Sequence, residues 1–255
     1  MLLVVDVGNT NTTLGAFEGD RLVADWRVAT RKEATSDEIG VLFRSLFAER
    51  DVDSTAVNAM IVSSVVPDLN GVVQRVGEVY FRTRPLFVEP GVRTGLPIHY
   101  ENPHEVGADR IVNAVAAVAK YGSPVIVVDF GTATTFDVVG PGGEYLGGVI
   151  APGLGISAEA LFDRAARLSR VDIRKPQRVI GRNTTESIQS GLFHGYLALV
   201  EGLVVRLRSE LGAEAPVIAT GGLARVFGQD LACLSGVDTN LTLEGLRLIW
   251  EKNRR

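Results

Sequence analysis

The sequence predicts an α/β protein assembled from two like halves. Strand-like and helix-like patterns alternate along the chain, a segment near the start recurs near the middle, and 46% apolar with 22% charged residues supplies a packed core. At 255 residues this is one large domain or two smaller ones. The repeat decides for two. Val4-Val5-Asp6-Val7-Gly8-Asn9-Thr10 and Val127-Val128-Asp129-Phe130-Gly131-Thr132-Ala133 lie about half the chain apart. Each is a β-branched run, then Asp-x-Gly, then threonine-rich residues and a second apolar run, which reads as strand, polar tip, strand. The halves are expected at 1–118 and 119–255, facing each other across a central cleft.

The remaining elements follow in order. Thr35 and Glu38 have capping-box spacing, and Ile39, Leu42, Phe43, Leu46 and Phe47 recur at helical period behind them. Ala59–Val66 reads as a buried strand ended by Pro67. Ala108–Lys120 reads as a helix with Gly122 beyond its end. Asn183 and Glu186 start another helix that runs to about Leu211, with Gly191, Gly195 and Gly202 inside it. Those glycines imply close packing against another helix, from this chain or a second subunit, or else a slack or broken helix. Val217–Thr220 reads as a strand entering Gly221-Gly222, and Thr242 opens a final helix.

Charge narrows the function. With 26 basic and 30 acidic residues the net charge is −4, the wrong sign for a general nucleic-acid binder. The single cysteine, Cys233, allows neither an intrachain disulfide nor a cysteine-rich zinc site. No stretch approaches the roughly 18 apolar residues of a membrane span, and Met1–Asp6 lacks the basic lead of a signal peptide. A cytoplasmic protein without nucleic-acid or membrane partners is expected.

The first tip carries the chemistry. Phosphate binding needs inward N–H groups, small residues and hydroxyl or amide donors. Gly8, Asn9, Thr10, Asn11, Thr12 and Thr13 supply them, although an ordinary Asn/Thr/Gly turn looks the same in a single copy. Asp6 would repel phosphates unless a cation lies between, which implies Mg²⁺, directly or through water. Asp129 raises the same question in the second tip, where a turn-capping role is the alternative. No Gly-Lys dipeptide is present, so there is no Walker A loop. Gly153-x-Gly155-x-x-Ala158 with Asp172 formally matches a relaxed dinucleotide fingerprint, but a glycine-rich loop shaping a pocket explains it better. Gly107-Ala108-Asp109-Arg110 sets a carboxylate beside a guanidinium at a helix start. Asp109 is either a helix cap or a base for a substrate hydroxyl, with Arg110 holding an anionic group. His99 and His104 flank this loop without an assigned role.

Together these motifs resemble the type III pantothenate kinases of bacteria, in the acetate kinase/Hsp70/actin-like superfamily. Asp6-Val7-Gly8-Asn9-Thr10 resembles that family's first phosphate motif, Gly107–Arg110 its pantothenate motif, and Asp129-Phe130-Gly131-Thr132-Ala133-Thr134 its second phosphate motif. Gly147–Gly153 resembles a further signature, and Gly221-Gly222 the adenosine end. The resemblance implies two duplicated actin-like (ribonuclease H-like) domains and ATP-dependent phosphorylation of pantothenate, the first step towards coenzyme A. It implies ATP binding by residues 6–13, including Val7, and by Thr132, with Asp109 as general base. Tyr100 and Gly107, Ala108, Asp109 and Arg110 would contact pantothenate, with Thr184 reached across a homodimer interface. Asp129 would hold the monovalent cation, K⁺ or NH₄⁺. An aspartate at its ordinary pKa of about 3.9 is a weak base, so modest help is expected. The alternatives are a related kinase with another small acceptor, or a non-catalytic nucleotide-binding regulator.

Overall fold

The computed structural model describes residues 1–165 and 170–254. The chain forms two compact units: Met1–Lys120 with the segment from Asn240, and Tyr121–Thr239.

The first unit opens with a meander of β1 (Leu2–Val7), β2 (Asn11–Glu18) and β3 (Arg21–Ala29). Then come α1 (Ser36–Ala48), β4 (Ala59–Ser64), α2 (Pro67–Tyr80), β5 (Leu86–Phe87) and α3 (Ala108–Tyr121). The sheet order is β3-β2-β1-β4-β5, with β2 antiparallel and β4 parallel to β1. Leu3, Val5 and Val7 alternate to one face, where they join Leu14, Met60 and Val62 against Phe43 and Phe47 of α1 and Val73 and Val76 of α2. Trp26 stacks on Phe47 at 4.7 Å. The residues between them, Val4 among them, face the opposite side and are also buried, so β1 reads as an unbroken apolar run up to Asp6.

Helix starts follow local chemistry. Thr35 and Glu38 form the reciprocal capping box of α1, and Pro67 sits in the first turn of α2. β4 ends two residues short of the expected Val66, because the Ser64 hydroxyl accepts from Val66 N–H at 3.2 Å and turns the chain into α2. Beyond α3, Gly122 takes φ +77°, a left-handed stop.

The second unit repeats the scheme. β6 (Val125–Phe130), β7 (Ala133–Val139) and β8 (Tyr145–Pro152) form a meander, followed by α4 (Leu154–Arg164), α5 (Thr184–Leu211), β9 (Val217–Gly221), α6 (Ala224–Phe227) and β10 (Gly236–Val237). The order β10-β9-β6-β7-β8 mirrors the first sheet strand for strand, with β9 parallel to β6. Ile126, Val128 and Phe130 pack with Phe136, Phe193, Tyr196, Val200 and Phe227.

α5 runs unbroken through its three glycines, from an Asn183 cap that accepts from Glu186 N–H at 2.9 Å to Gly212 at φ +64°. The slack-helix reading is therefore wrong. Among the described residues a Cβ at Gly191 or Gly195 would meet nothing within 4 Å, so no close helix packing seen there explains them. By length and composition α5 could cross a membrane, contrary to the expectation that no stretch comes near this. Part of its apolar content lines the core through Ile188, Phe193, Tyr196, Val200 and Val204.

The last helix, α7 (Leu241–Asn253), belongs to the first unit. The division thus falls after Lys120 rather than at 118, and the second unit stops at Thr239 rather than running to the end. Leu243 reaches the β1–β2 face, close to Gly15, and Gly245 lets α7 approach the backbone of Val112 on α3. Thr242 does not cap α7. Asn240 holds that position, and the Thr242 hydroxyl donates to Asn113 Oδ1 at 2.7 Å.

Candidate functional site

In the first unit the predicted phosphate residues occupy one hairpin. Asp6 and Val7 end β1, Asn11, Thr12 and Thr13 begin β2, and Gly8, Asn9 and Thr10 form the tip. Asp6 pairs with Thr13 across the strands. Gly8 N–H donates to Asn11 O at 3.0 Å, and a Cβ on Gly8 would lie 2.9 Å from that oxygen, which favours glycine there. Asn9, Thr10 and Asn11 are exposed. Thr30, at the end of β3, anchors the tip. Its hydroxyl donates to Gly8 O at 2.7 Å and lies 2.9 Å from Thr12 Oγ1, while its N–H donates to Thr10 O at 2.9 Å. Sequence reading missed Thr30, because a residue twenty positions from the tip gives no local signal. An apolar cavity of about 890 Å³ lies behind the hairpin against α1. It is lined by Val7, Leu42, Phe43 and Val73, on the face opposite the Asp6 side chain.

The 107–110 loop belongs to the same unit. Tyr100 is exposed on the approach to it, and Asn102 caps the short turn Pro103–Glu105. Ala108, Asp109 and the buried Arg110 form the first turn of α3. Asp109 folds back on the loop: its Oδ1 accepts from Arg110 N–H at 2.8 Å and would lie 2.6 Å from a Cβ on Gly107. A side chain at 107 would therefore displace the carboxylate. The same Cβ would lie 3.7 Å from Val65, just past the end of β4, so this loop approaches the strand ends that carry Asp6. Burial pushes the Asp109 pKa up, opposed by the Arg110 N–H and its guanidinium. This revises the weak-base expectation, since a raised pKa makes a stronger base.

Sequence reading also missed Ser63. It lies on β4 in register with Asp6, is fully buried, and its Oγ has no hydrogen-bond partner. Among the described residues no group of three or more His, Cys, Asp or Glu gathers. The donor set at the hairpin is thus one carboxylate, a buried hydroxyl and polar tip residues. That fits Mg²⁺, which retains waters and is completed by phosphate oxygens, rather than a metal needing an all-protein cage.

In the second unit Asp129 pairs with Thr135 on β7 and Thr220 on β9. Gly131 N–H donates to Ala133 O at 3.1 Å, matching the first tip, and Thr132 is exposed at the turn. Two distant glycines shape this tip. Gly153 N–H donates to Thr132 O at 3.1 Å, and a Cβ there would stand 2.1 Å from that oxygen. Gly221, at φ +90°, leaves room for Asp129 Oδ1, which would be 2.3 Å from a Cβ. Gly153 follows the antiparallel edge strand β8, not the opening parallel strand a dinucleotide fold requires, so the fingerprint fails in context. Thr134 and Tyr196 share a buried hydroxyl contact that ties α5 to β7. Burial, chiefly, pushes the Tyr196 phenol up to about 12. Thr184 is exposed in the first turn of α5.

A family model described as type III pantothenate kinase matches residues 2–206. A type III pantothenate kinase of Koribacter versatilis is 58% identical, over 100% of this chain and 96% of its own length. One from Myxococcus xanthus is 55% identical over 99% of each. Among solved structures, a protein described as a Baf family transcriptional activator from Campylobacter jejuni matches with TM-score 0.61 at 19% identity, over 98% of both chains. One described as a 2-dehydro-3-deoxygalactonokinase from Sinorhizobium meliloti matches with TM-score 0.58 at 11% identity, over 99% and 97%. At such identities the structures speak for fold alone: duplicated actin-like α/β domains.

Proposed function

The chain belongs to the type III pantothenate kinase family, and from that premise we propose which of its residues carry the reaction. It transfers the γ-phosphoryl group of ATP to pantothenate in coenzyme A biosynthesis. In our reading Asp109 is the general base. Its carboxylate takes the proton of the primary hydroxyl as that oxygen bonds to the γ-phosphorus. The bond from phosphorus to the β–γ bridging oxygen breaks, and ADP leaves with the electron pair. The half-buried carboxylate of Asp109 at the start of α3, its pKa raised by desolvation, is the observation that carries this assignment.

The other residues position. Asp6, Val7, Gly8, Asn9, Thr10, Asn11, Thr12 and Thr13, with Thr132, bind ATP through N–H and hydroxyl donors. Phosphoryl transfer asks a protein mainly for such positioning and charge neutralisation. Tyr100, Gly107, Ala108, Arg110 and Thr184 hold pantothenate, Arg110 through its carboxylate. Asp6 would hold Mg²⁺ through water, and Asp129 K⁺ or NH₄⁺; when bound, these cations offset phosphate charge. The open glycine positions of α5 support a homodimer through that helix, with Thr184 near the interface. The acidic net charge supports an enzyme without nucleic-acid partners, and we place it in the cytoplasm without membrane partners.

ADP release, measured with and without pantothenate and with K⁺ replaced by Na⁺, tests the reading. Turnover should need both pantothenate and K⁺. Asp109→Asn should lower kcat by about 10²–10⁴-fold while pantothenate binding stays measurable. Near-normal turnover of that variant would remove Asp109 from the mechanism.

A further inference from the structure

In the first sheet, Thr13, Asp6 and Ser63 are partners in register across β2, β1 and β4. Register partners project to the same face, so the three side chains form one row at the tip end of the strands. This face is opposite the one packed by α1 and α2. Ser63 in that row is the anomaly. It is 0% exposed and its Oγ has no hydrogen-bond partner, whereas the adjacent Ser64 hydroxyl is engaged by Val66. A buried hydroxyl without a partner costs stability, and an alanine would fill nearly the same space without that cost. The group is poised for a partner that the protein itself does not supply.

The second unit repeats the arrangement. Asp129 is flanked in register by Thr135 and by Thr220, which is 1% exposed. In both units, therefore, the acidic residue at the end of the first strand has a buried hydroxyl beside it on the neighbouring parallel strand.

We propose that Ser63 is a positioning residue of the phosphate site: its Oγ orients a water in the hydration shell of the divalent cation that accompanies ATP, next to Asp6. The proposal rests on the kinase reading above. Mg²⁺ keeps most of its waters, and with one carboxylate at this site those waters need holders of their own. Ser63 has the register beside Asp6 and the open hydrogen-bonding capacity for that task.

Calorimetry with a non-hydrolysable ATP analogue tests this on the full chain, with magnesium and with excess EDTA. Ser63→Ala should bind the magnesium–nucleotide complex about tenfold more weakly. It should bind the metal-free nucleotide like wild type, need more Mg²⁺ for half-maximal turnover, and keep its KM for pantothenate. Its unliganded Tm should equal or exceed that of wild type, which separates lost positioning from lost folding. Ser63→Thr, carrying the residue of the matching position in the second unit, should restore the magnesium-dependent affinity. The proposal is overturned if Ser63→Ala binds the magnesium complex like wild type, or loses affinity equally with and without the metal. Absence of pantothenate phosphorylation by wild-type protein would instead sink the kinase reading.

Discussion

At the scale of single residues, Asp109, the base in the proposed mechanism, also bears on stability. Burial raises its pKa in the folded protein, so the native state holds this proton more tightly than the unfolded chain. The associated stabilisation is present below the unfolded carboxylate pKa and is lost as pH rises through the folded value. At neutral pH wild type therefore bears a partly buried charge that Asp109→Asn lacks. The variant should be more stable at pH 7, with a margin that narrows as pH falls towards about 4. Urea denaturation across that range checks it; a margin that widens on acidification would contradict the burial argument. Asp6, Asp109 and Asp129 were legible in the sequence because each sits in a short run of chemically distinctive neighbours. Ser63 was not, because a serine at the end of an apolar strand announces nothing until the register sets it beside Asp6.

At the scale of elements, the two hairpins were legible because strand, tip and strand are contiguous. What holds each tip came from elsewhere: Thr30 from β3 for the first, Gly153 and Gly221 from after β8 and the end of β9 for the second. Thr30→Val keeps shape and backbone but removes the hydroxyl that bonds Gly8 O and pairs with Thr12. The KM for ATP should rise several-fold, since each lost bond is worth about 0.5–1.5 kcal/mol, while the KM for pantothenate stays put. Steady-state kinetics with each substrate varied separate the two. Helix boundaries were legible where capping side chains lie in sequence, as at Thr35 and Asn183. At α7 the helix does begin within a residue of Thr242, but no side chain caps it and the Thr242 hydroxyl is drawn off to Asn113.

At the scale of the whole molecule, the duplication was visible in the sequence because a β-branched run followed by Asp-x-Gly recurs, and the two strands that carry Asp6 and Asp129 share one burial pattern. The membership of α7 was not, since nothing local in Leu241–Asn253 says which sheet it covers. Leu241, Leu246 and Ile249 are fully buried, each contributing about 1.5–3 kcal/mol. Their sum is comparable to the entire stability of a typical domain. Removing residues from 241 onward should therefore abolish slow hydrogen exchange in β1 and β4 while leaving β6 and β9 protected. Equal loss in both sheets would show that the units do not fold separately.

The return of α7 makes the second unit a guest nested within its host. Tyr121 and Asp238, where the chain enters and leaves that guest, are clasped by a hydrogen bond of 3.0 Å. During synthesis the guest can complete its sheet as soon as its own residues emerge. The host, though begun first, must wait with β1 and β4 uncovered until thirteen further residues of α7 arrive. The half that bears Asp109 is thus the last to mature, so a chain cut short before position 241 would leave that half unsealed while the guest is complete.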